Sequence, residues 1–170
     1  SSISHALFVS GGISEIGSLR NIQLKRAGKT IQTLDLYDLL IRGDSSDDVI
    51  LKPGDVVFIP TVGKQVTVDG EVRRPAIFEL KDNESVHDLI TMAGGFNGAA
   101  YPQRTVVERY TGNSFKTILQ IDLTNSDSKY IAKNGDKIKV PSSSEELNDA
   151  VTLLGAVTYP GNYSWSEGDK

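Results

Sequence analysis

The sequence predicts an α+β fold, in which small mixed sheets, each carrying one helix, recur along the chain. Two observations support this prediction. Short runs in which apolar and polar residues alternate flank turns that contain glycine and proline, as in residues 66–80, and this is the pattern of half-buried strands. Three blocks of residues also recur in the same order at spacings of 81 to 85 residues, which indicates a repeated structural unit.

The repeated blocks are an opening strand pair, a helix that ends at Gly-Gly, and a Gly-Asp turn that leads into a strand. The matched segments are residues 66–75 with 151–160, residues 2–13 with 85–96, residues 51–60 with 132–141 and, more weakly, residues 34–40 with 121–127. The glycines and prolines that define the blocks are Gly11, Gly12, Gly54, Gly70, Pro75, Gly94, Gly95, Gly135, Gly155 and Pro160. Loop insertions between the blocks would produce the drift in spacing.

This arrangement predicts how the chain divides into domains. Residues 62–141 contain one complete unit, and residues 1–60 contain a unit without its opening hairpin. Residues 142–170 contain the opening hairpin of a further unit. We expect the hairpin at residues 151–165 to dock onto residues 1–60, in the same chain or in a neighbouring copy, as in domain swapping.

The complete unit begins with two strands at residues 66–72 and 74–80. Gly70 inside the first strand predicts a β-bulge or the close approach of another backbone. Pro75 lacks an N–H group, so it should begin the second strand or lie on a sheet edge.

A helix follows, with Asn83 or Ser85 as its N-cap. Its apolar face consists of Val86, Leu89, Ile90 and Ala93, and the matching face near the N-terminus consists of Ile3, Ala6, Leu7 and Ser10. The Gly-Gly pair after each helix should end it through a left-handed residue.

A second hairpin joins residues 104–110 to residues 114–121 through a Thr-Gly-Asn turn, and residues 20–26 and 29–34 flank Ala-Gly in the same way. The Gly-Asp turns then lead into the short strands VVFIP and KIKVP. A small mixed sheet with one helix across it, in this order, is the plan of a β-grasp, the ubiquitin-like fold.

Composition excludes several classes of function. The 170 residues carry 18 basic and 22 acidic side chains, a net charge of -4, so we expect no nucleic-acid partner. The absence of cysteine excludes disulfides and thiol catalysis. The two histidines, His5 and His87, lie far apart in sequence. The paired carboxylates in the loops are adjacent residues, whereas acid-base catalysis needs two carboxylates held on opposite sides of the bond that is cleaved. We therefore predict no metal, no cofactor and no catalytic residue.

Membrane and export signals are also absent from the sequence as it stands. No apolar run approaches the roughly 20 residues that span a bilayer, and the first ten residues lack the basic start and cleavage site of a signal peptide.

Charged and aromatic side chains are the candidates for ligand or partner binding. Arg73 and Arg74, beside Glu71, are suited to an acidic polymer or a neighbouring subunit, although a solvated hairpin end is the simpler interpretation. The aromatic candidates for stacking on sugar rings are Tyr101, Tyr110, Tyr130, Tyr159 and Trp165. Residues of this kind more often fill a core or cover a hairpin.

These motifs resemble a known family. GEVRRPAIFEL, a helix ending in AGGF, and NGDKIKVP, in that order, resemble the soluble-ligand-binding β-grasp (SLBB) domain. The tandem arrangement, with LKPGDVVFIP shortly before VTVDGEV, resembles the polysaccharide export proteins of Gram-negative outer membranes. The separate export domain, lipid-anchored cysteine and membrane-spanning segment typical of that family do not occur in this sequence. We therefore expect one wall segment of a larger pore.

The resemblance implies the periplasmic portion of an outer-membrane-associated protein. It implies a homo-oligomeric ring around a passage for capsular polysaccharide or exopolysaccharide, with an inner-membrane polysaccharide co-polymerase as a further candidate partner. The alternative is a generic soluble-ligand-binding β-grasp domain for a small ligand or secreted factor. A glycan-processing enzyme is a third hypothesis, which requires product formation from an oligosaccharide.

Overall fold

The computed structural model describes residues 1–112, 115–125 and 129–144. The chain divides into two compact units, Ser1–Lys64 and Gln65–Lys170. The predicted hairpin at residues 151–165 lies outside the described residues, so its docking stays a prediction. Four residues singled out in the sequence also lie outside the described part, and they are Gly155, Tyr159, Pro160 and Trp165.

The first unit contains two helices and a three-stranded antiparallel sheet of order β2-β1-β3. Its elements are α1 Ile3–Val9, β1 Ile22–Arg26, β2 Lys29–Leu34, α2 Leu36–Arg42 and β3 Val56–Phe58. The predicted Ala-Gly turn joins β1 to β2, with positive φ at Ala27 and Gly28. Apolar side chains from both helices and from β1 and β2 form one buried core, which consists of Ile3, Leu7, Ile22, Leu24, Leu34 and Leu36.

The second unit contains one α-helix and a five-stranded sheet of order β5-β4-β8-β6-β7. Its elements are β4 Gln65–Gly70, β5 Ala76–Glu79, α3 Val86–Met92, a 3-10 turn Pro102–Arg104, β6 Thr105–Thr111, β7 Phe115–Ile121 and β8 Lys137–Val140. The strands β4 and β8 are parallel and the other neighbours are antiparallel. This mixed sheet with one helix is the predicted α+β, β-grasp-like plan, and the predicted fold class is confirmed.

The helix α3 forms as the sequence indicates. Ser85 is the N-cap, and a capping box links its side chain and backbone to Asp88, which satisfies two free N–H groups of the first turn. The predicted apolar face is buried in full. In α1 the face is shorter than predicted, because the helix ends at Val9 and Ser10 is an exposed C-cap.

The two units contain equivalent backbone hydrogen bonds. They anchor the first residue of a helix, close the Gly-Gly turn after it, and tie a loop to the proline after the Gly-Asp strand. The paired bonds are Ile3 N to Val49 O with Val86 N to Tyr130 O, Gly12 N to Leu7 O with Gly95 N to Ile90 O, and Ser18 N to Pro60 O with Tyr101 N to Pro141 O.

The helix α2 is the main element that the sequence patterns did not predict. Asp35 caps it and Gly43 ends it in a left-handed conformation, and both are ordinary helix signals. Residues 122–125 of the second unit are not helical, and residues 126–128 lie outside the described part, so the weaker match between residues 34–40 and 121–127 stays a prediction. No helix in the described residues is long and apolar enough to cross a membrane.

Candidate ligand-binding site

A close contact between β4 and β8 fixes one end of the second sheet. Gly70, the last residue of β4, has a φ of 86°, a conformation that side chains other than glycine's rarely adopt. A Cβ atom there would overlap the carbonyl oxygen of Val140 and lie 2.9 Å from its nitrogen. The sequence predicted such a close approach at Gly70. The next residue, Glu71, donates its N–H to the same carbonyl oxygen at 2.8 Å.

This end of the sheet positions the predicted arginines. The backbone N–H groups of Arg73 and Arg74 donate to Gly95 and Ala93, at the end of α3. Both side chains are exposed, and neither forms an ion pair among the described residues. They are therefore available to solvent or to a partner, as both interpretations of the sequence require.

Tyr101 lies near the same end of the sheet, because its backbone N–H donates to Pro141, directly after β8. Its side chain is half-buried. Within the described residues, no hydrogen bond or ion pair joins it to Arg73 or Arg74. Arg73, Arg74 and Tyr101 thus lie at the same end of the unit, but their side chains are not joined by a hydrogen bond or ion pair.

A cleft of about 290 Å³ lies near the opposite end of β8. It is bounded by the start of α3, by β6 and β7, and by the segment that leads into the Gly-Asp turn. The lining side chains are Val86, Val107, Arg109, Leu119, Ile121, Lys129, Tyr130, Ile131 and Lys133. Its volume is just below the usual range of small-molecule sites, which is about 300–1,000 Å³.

An ion pair holds one wall of the cleft. Arg109 Nε and Nη2 donate to the two carboxylate oxygens of Asp136 at 2.9 and 2.8 Å, and Nη2 also donates to the Ile131 carbonyl oxygen at 3.2 Å. Asp136 is buried and also accepts the Lys133 backbone N–H. This carboxylate raises the pKa of the Arg109 guanidinium, so the arginine stays charged and in place.

The first unit contains the same ion pair. Arg26 donates two hydrogen bonds of 2.7 Å to Asp55, which also accepts the Lys52 backbone N–H. The hydrogen bonds from Arg26 and Lys52 lower the pKa of the Asp55 carboxyl to about 2. The Arg-Asp pair is therefore part of the scaffold in each unit, and the residues around it decide what the surface can bind.

Three residues around the pair differ between the units, whereas Lys52 and Ile50 of the first unit correspond to Lys133 and Ile131 of the second. The shared hydrogen bond to the first helix residue places Val49 where the second unit has Tyr130, and hence Asp48 where it has Lys129. Across the hairpin, Gln32 lies opposite Leu24 as Leu119 lies opposite Val107. In the first unit the carboxylates of this region are occupied, since Asp48 accepts from Ser4 and Asp47 accepts from Gln32 at 3.0 Å.

Sequence reasoning did not select Arg109, Lys129 or Lys133. The available signal was the alignment of the repeated blocks, in which an arginine recurs in the hairpin before each Gly-Asp turn. The same alignment shows Lys129 replacing an aspartate. The part of the chain that the structure describes contains no group of three or more histidine, aspartate or glutamate side chains placed to hold a metal ion.

Comparison with known families identifies part of the second unit. Residues 65–116 match the model of the SLBB domain family, and this segment covers β4, β5, α3, β6 and the first residues of β7. Families of this kind bind ligands rather than catalyse reactions. Residues 65–116 are therefore similar to the SLBB domain, and the α+β fold of the second unit is consistent with that similarity.

Proposed function

We propose that the chain is a periplasmic structural and binding module of an outer-membrane polysaccharide export protein, and that its units contribute to the wall of a ring-shaped translocation channel. The polymer is a capsular polysaccharide or exopolysaccharide. In this proposal the module is not an enzyme, and it acts through subunit packing and through contact with the passing polymer.

The observation that carries the proposal is the recurrence of one set of contacts in two consecutive units, of which the second contains the SLBB match. The helix caps lie at equivalent positions, Ser2 in the first unit and Ser85 in the second. The ion pairs also correspond, one with Asp55 and the other with Asp136. Consecutive units of this kind support the tandem arrangement that resembles polysaccharide export proteins.

Exposed apolar side chains on sheet edges support subunit packing. Ile77 on the edge strand β5 is 63% exposed, and Phe115 on the edge strand β7 is 70% exposed. Val56 and Phe58 on β3, an edge of the first sheet in the described residues, are also exposed. Edge strands and exposed apolar residues are the usual places where a second chain binds.

The export proposal is tested in the parent organism. The gene for the full-length protein is deleted, and polysaccharide is measured at the cell surface and in the periplasm. We expect surface polymer to fall, periplasmic polymer to rise, and the intact gene to restore export. A gene that lacks the segment corresponding to these units should not restore it, at matched protein levels. Unchanged surface polymer in the deletion strain would contradict the proposal.

The ring is tested by sedimentation of the full-length protein. Ile77→Lys places a charge on the exposed edge strand and should lower the assembly state. Ile16→Lys is the matched control, because Ile16 is 69% exposed but lies outside the strands. Equal sedimentation of the two variants and the parent would remove β5 from the interface.

The alternative function is a module that captures one small soluble ligand, and the cleft beside Arg109 and Lys129 favours it. It predicts saturable binding by the isolated chain and no loss of surface polymer on deletion. The export proposal predicts weak binding by the isolated chain and a defect in export.

A further inference from the structure

We propose that the cleft of the second unit binds a sugar residue that carries a carboxylate, such as a uronic acid within a polysaccharide. The inference rests on the proposed function, because it takes the ligand to be part of the exported polymer. It assigns to this cleft, rather than to the arginines at the other end of the sheet, the contact with acidic sugar.

The charge of the cleft selects an anion. Arg109 is neutralised by Asp136, whereas Lys129 and Lys133 are exposed and form no ion pair among the described residues. Arg109 Nη1 also makes no hydrogen bond within that part of the chain. A carboxylate in the cleft would therefore meet two ammonium groups and a fixed guanidinium donor, and charge-assisted hydrogen bonds are the stronger kind.

The walls of the cleft suit the ring of a sugar. Leu119 and Ile131 are 36% and 39% exposed, and Tyr130 is half-buried beside them. A pyranose ring presents C–H groups on its faces, which pack on apolar and aromatic side chains, while its edge carries the polar groups. The cleft, about 290 Å³ in volume, is open on one side, so one ring can occupy it while the neighbouring rings of a polymer stay outside.

The first unit shows that the scaffold does not require this lining. At equivalent positions it has Asp48 for Lys129, Val49 for Tyr130 and Gln32 for Leu119. The Arg-Asp pair is present in both units. Lys52 and Ile50 of the first unit correspond to Lys133 and Ile131. The features specific to the second cleft are therefore Lys129, Tyr130 and Leu119.

The test is an NMR titration of the whole chain with trigalacturonate, which carries one carboxylate on each ring. We expect saturable shifts of the amide signals of residues 129–133 and of Leu119, with weak affinity at low salt. The affinity should fall as ionic strength rises, because salt screens exposed charges with a Debye length of about 10 Å at 0.1 M.

The matched ligand control is the fully methyl-esterified trimer, which keeps the rings and removes the charges. Sodium acetate at equal carboxylate concentration tests the charge without the ring. We expect neither to reproduce the shifts. Equal shifts with the ester would remove the carboxylate from the proposal, and equal shifts with acetate would reduce the cleft to a general anion site. Either result overturns the inference.

The matched protein variants use the residue found in the first unit. Lys129→Asp should weaken binding about tenfold, equivalent to about 1.4 kcal/mol, because an exposed ion pair is lost and a repulsion is added. Lys29→Asp makes the same charge change at an exposed hairpin end of the first unit and should leave affinity unchanged. Both positions are exposed, so both variants should fold. Equal loss in the two variants, or in neither, contradicts the assignment.

Binding and export have separate readouts. If trigalacturonate does not bind but the units are required for surface polymer, the ligand assignment is wrong and the export function stands. If it binds at the cleft but the units are dispensable for export, the export function is wrong. The carboxylate-specific cleft then belongs to a soluble-ligand-binding module.

Discussion

Replacing Gly70 by alanine should destabilise the second unit far more than an ordinary glycine substitution. The residue has a positive φ, and its added Cβ would overlap the carbonyl oxygen of Val140 in the neighbouring strand. Both clashing groups are close to the backbone, so no change of side-chain rotamer can relieve the overlap. The strands β4 and β8 must move apart at their parallel pairing.

The magnitude follows from three contributions. A left-handed conformation costs an alanine about 1 kcal/mol. Crowding within a packed structure costs at least about 1 kcal/mol. Separation of the strands weakens the 2.8 Å hydrogen bond from Glu71 N to Val140 O, for about 1 kcal/mol more. The expected loss in the free energy of unfolding is about 3 kcal/mol.

Gly135→Ala is the matched control, because Gly135 has nearly the same φ, 85°, with no atom within 4 Å of its added Cβ. It should lose only about 1 kcal/mol. Urea unfolding, followed through amide signals of the second unit, separates the two variants. With an m value of about 1–2 kcal/mol/M, their midpoints should differ by about 1–2 M. Equal midpoints would refute the close approach as the reason for glycine at position 70.

Three further predictions concern ion pairs and capping. Asp136→Asn should cost about 2–3 kcal/mol of unfolding free energy, since Arg109 loses a buried charged acceptor. In the first unit, the pKa of Asp55 is lowered to about 2, below the roughly 3.9 of an unfolded aspartate, so its contribution is complete above about pH 4 and is lost as the pH falls towards 2. Acid unfolding should show this loss, and Asp55→Asn should abolish that part of the pH dependence. Ser85→Ala removes the capping box of α3 and should cost about 1 kcal/mol, measured by thermal unfolding.

The local features of the fold were predictable from sequence because their signals are local. The Ala27-Gly28 turn, the Ser85 cap and the buried face of α3 each depend on a few neighbouring residues. The helix α2 was missed because it has only seven residues, of which Leu36 and Tyr37 are buried. So short an apolar stripe resembles the end of the preceding strand.

The candidate site was less predictable because it depends on pairing between distant segments. Arg109 and Asp136 meet only when β6 pairs with β8, and Lys129 lines the same cleft through the bridge between Ser85 and Ile131. Neither the spacing from Arg109 to Asp136 nor that from Arg109 to Lys129 is part of a recognised sequence motif. Arg73 and Arg74, in contrast, were conspicuous in sequence because they are adjacent, yet the structure gives them no partner side chain among the described residues.

The parallel pairing of β4 with β8 also makes the second unit depend on a distant part of its own chain. Thr67 pairs with Lys137, 70 residues later. Until β8 is in place, the β4–β5 hairpin exposes Val66 and Val68 and has an unpaired edge. Such an edge can pair with a second chain, so partly folded chains should associate through it.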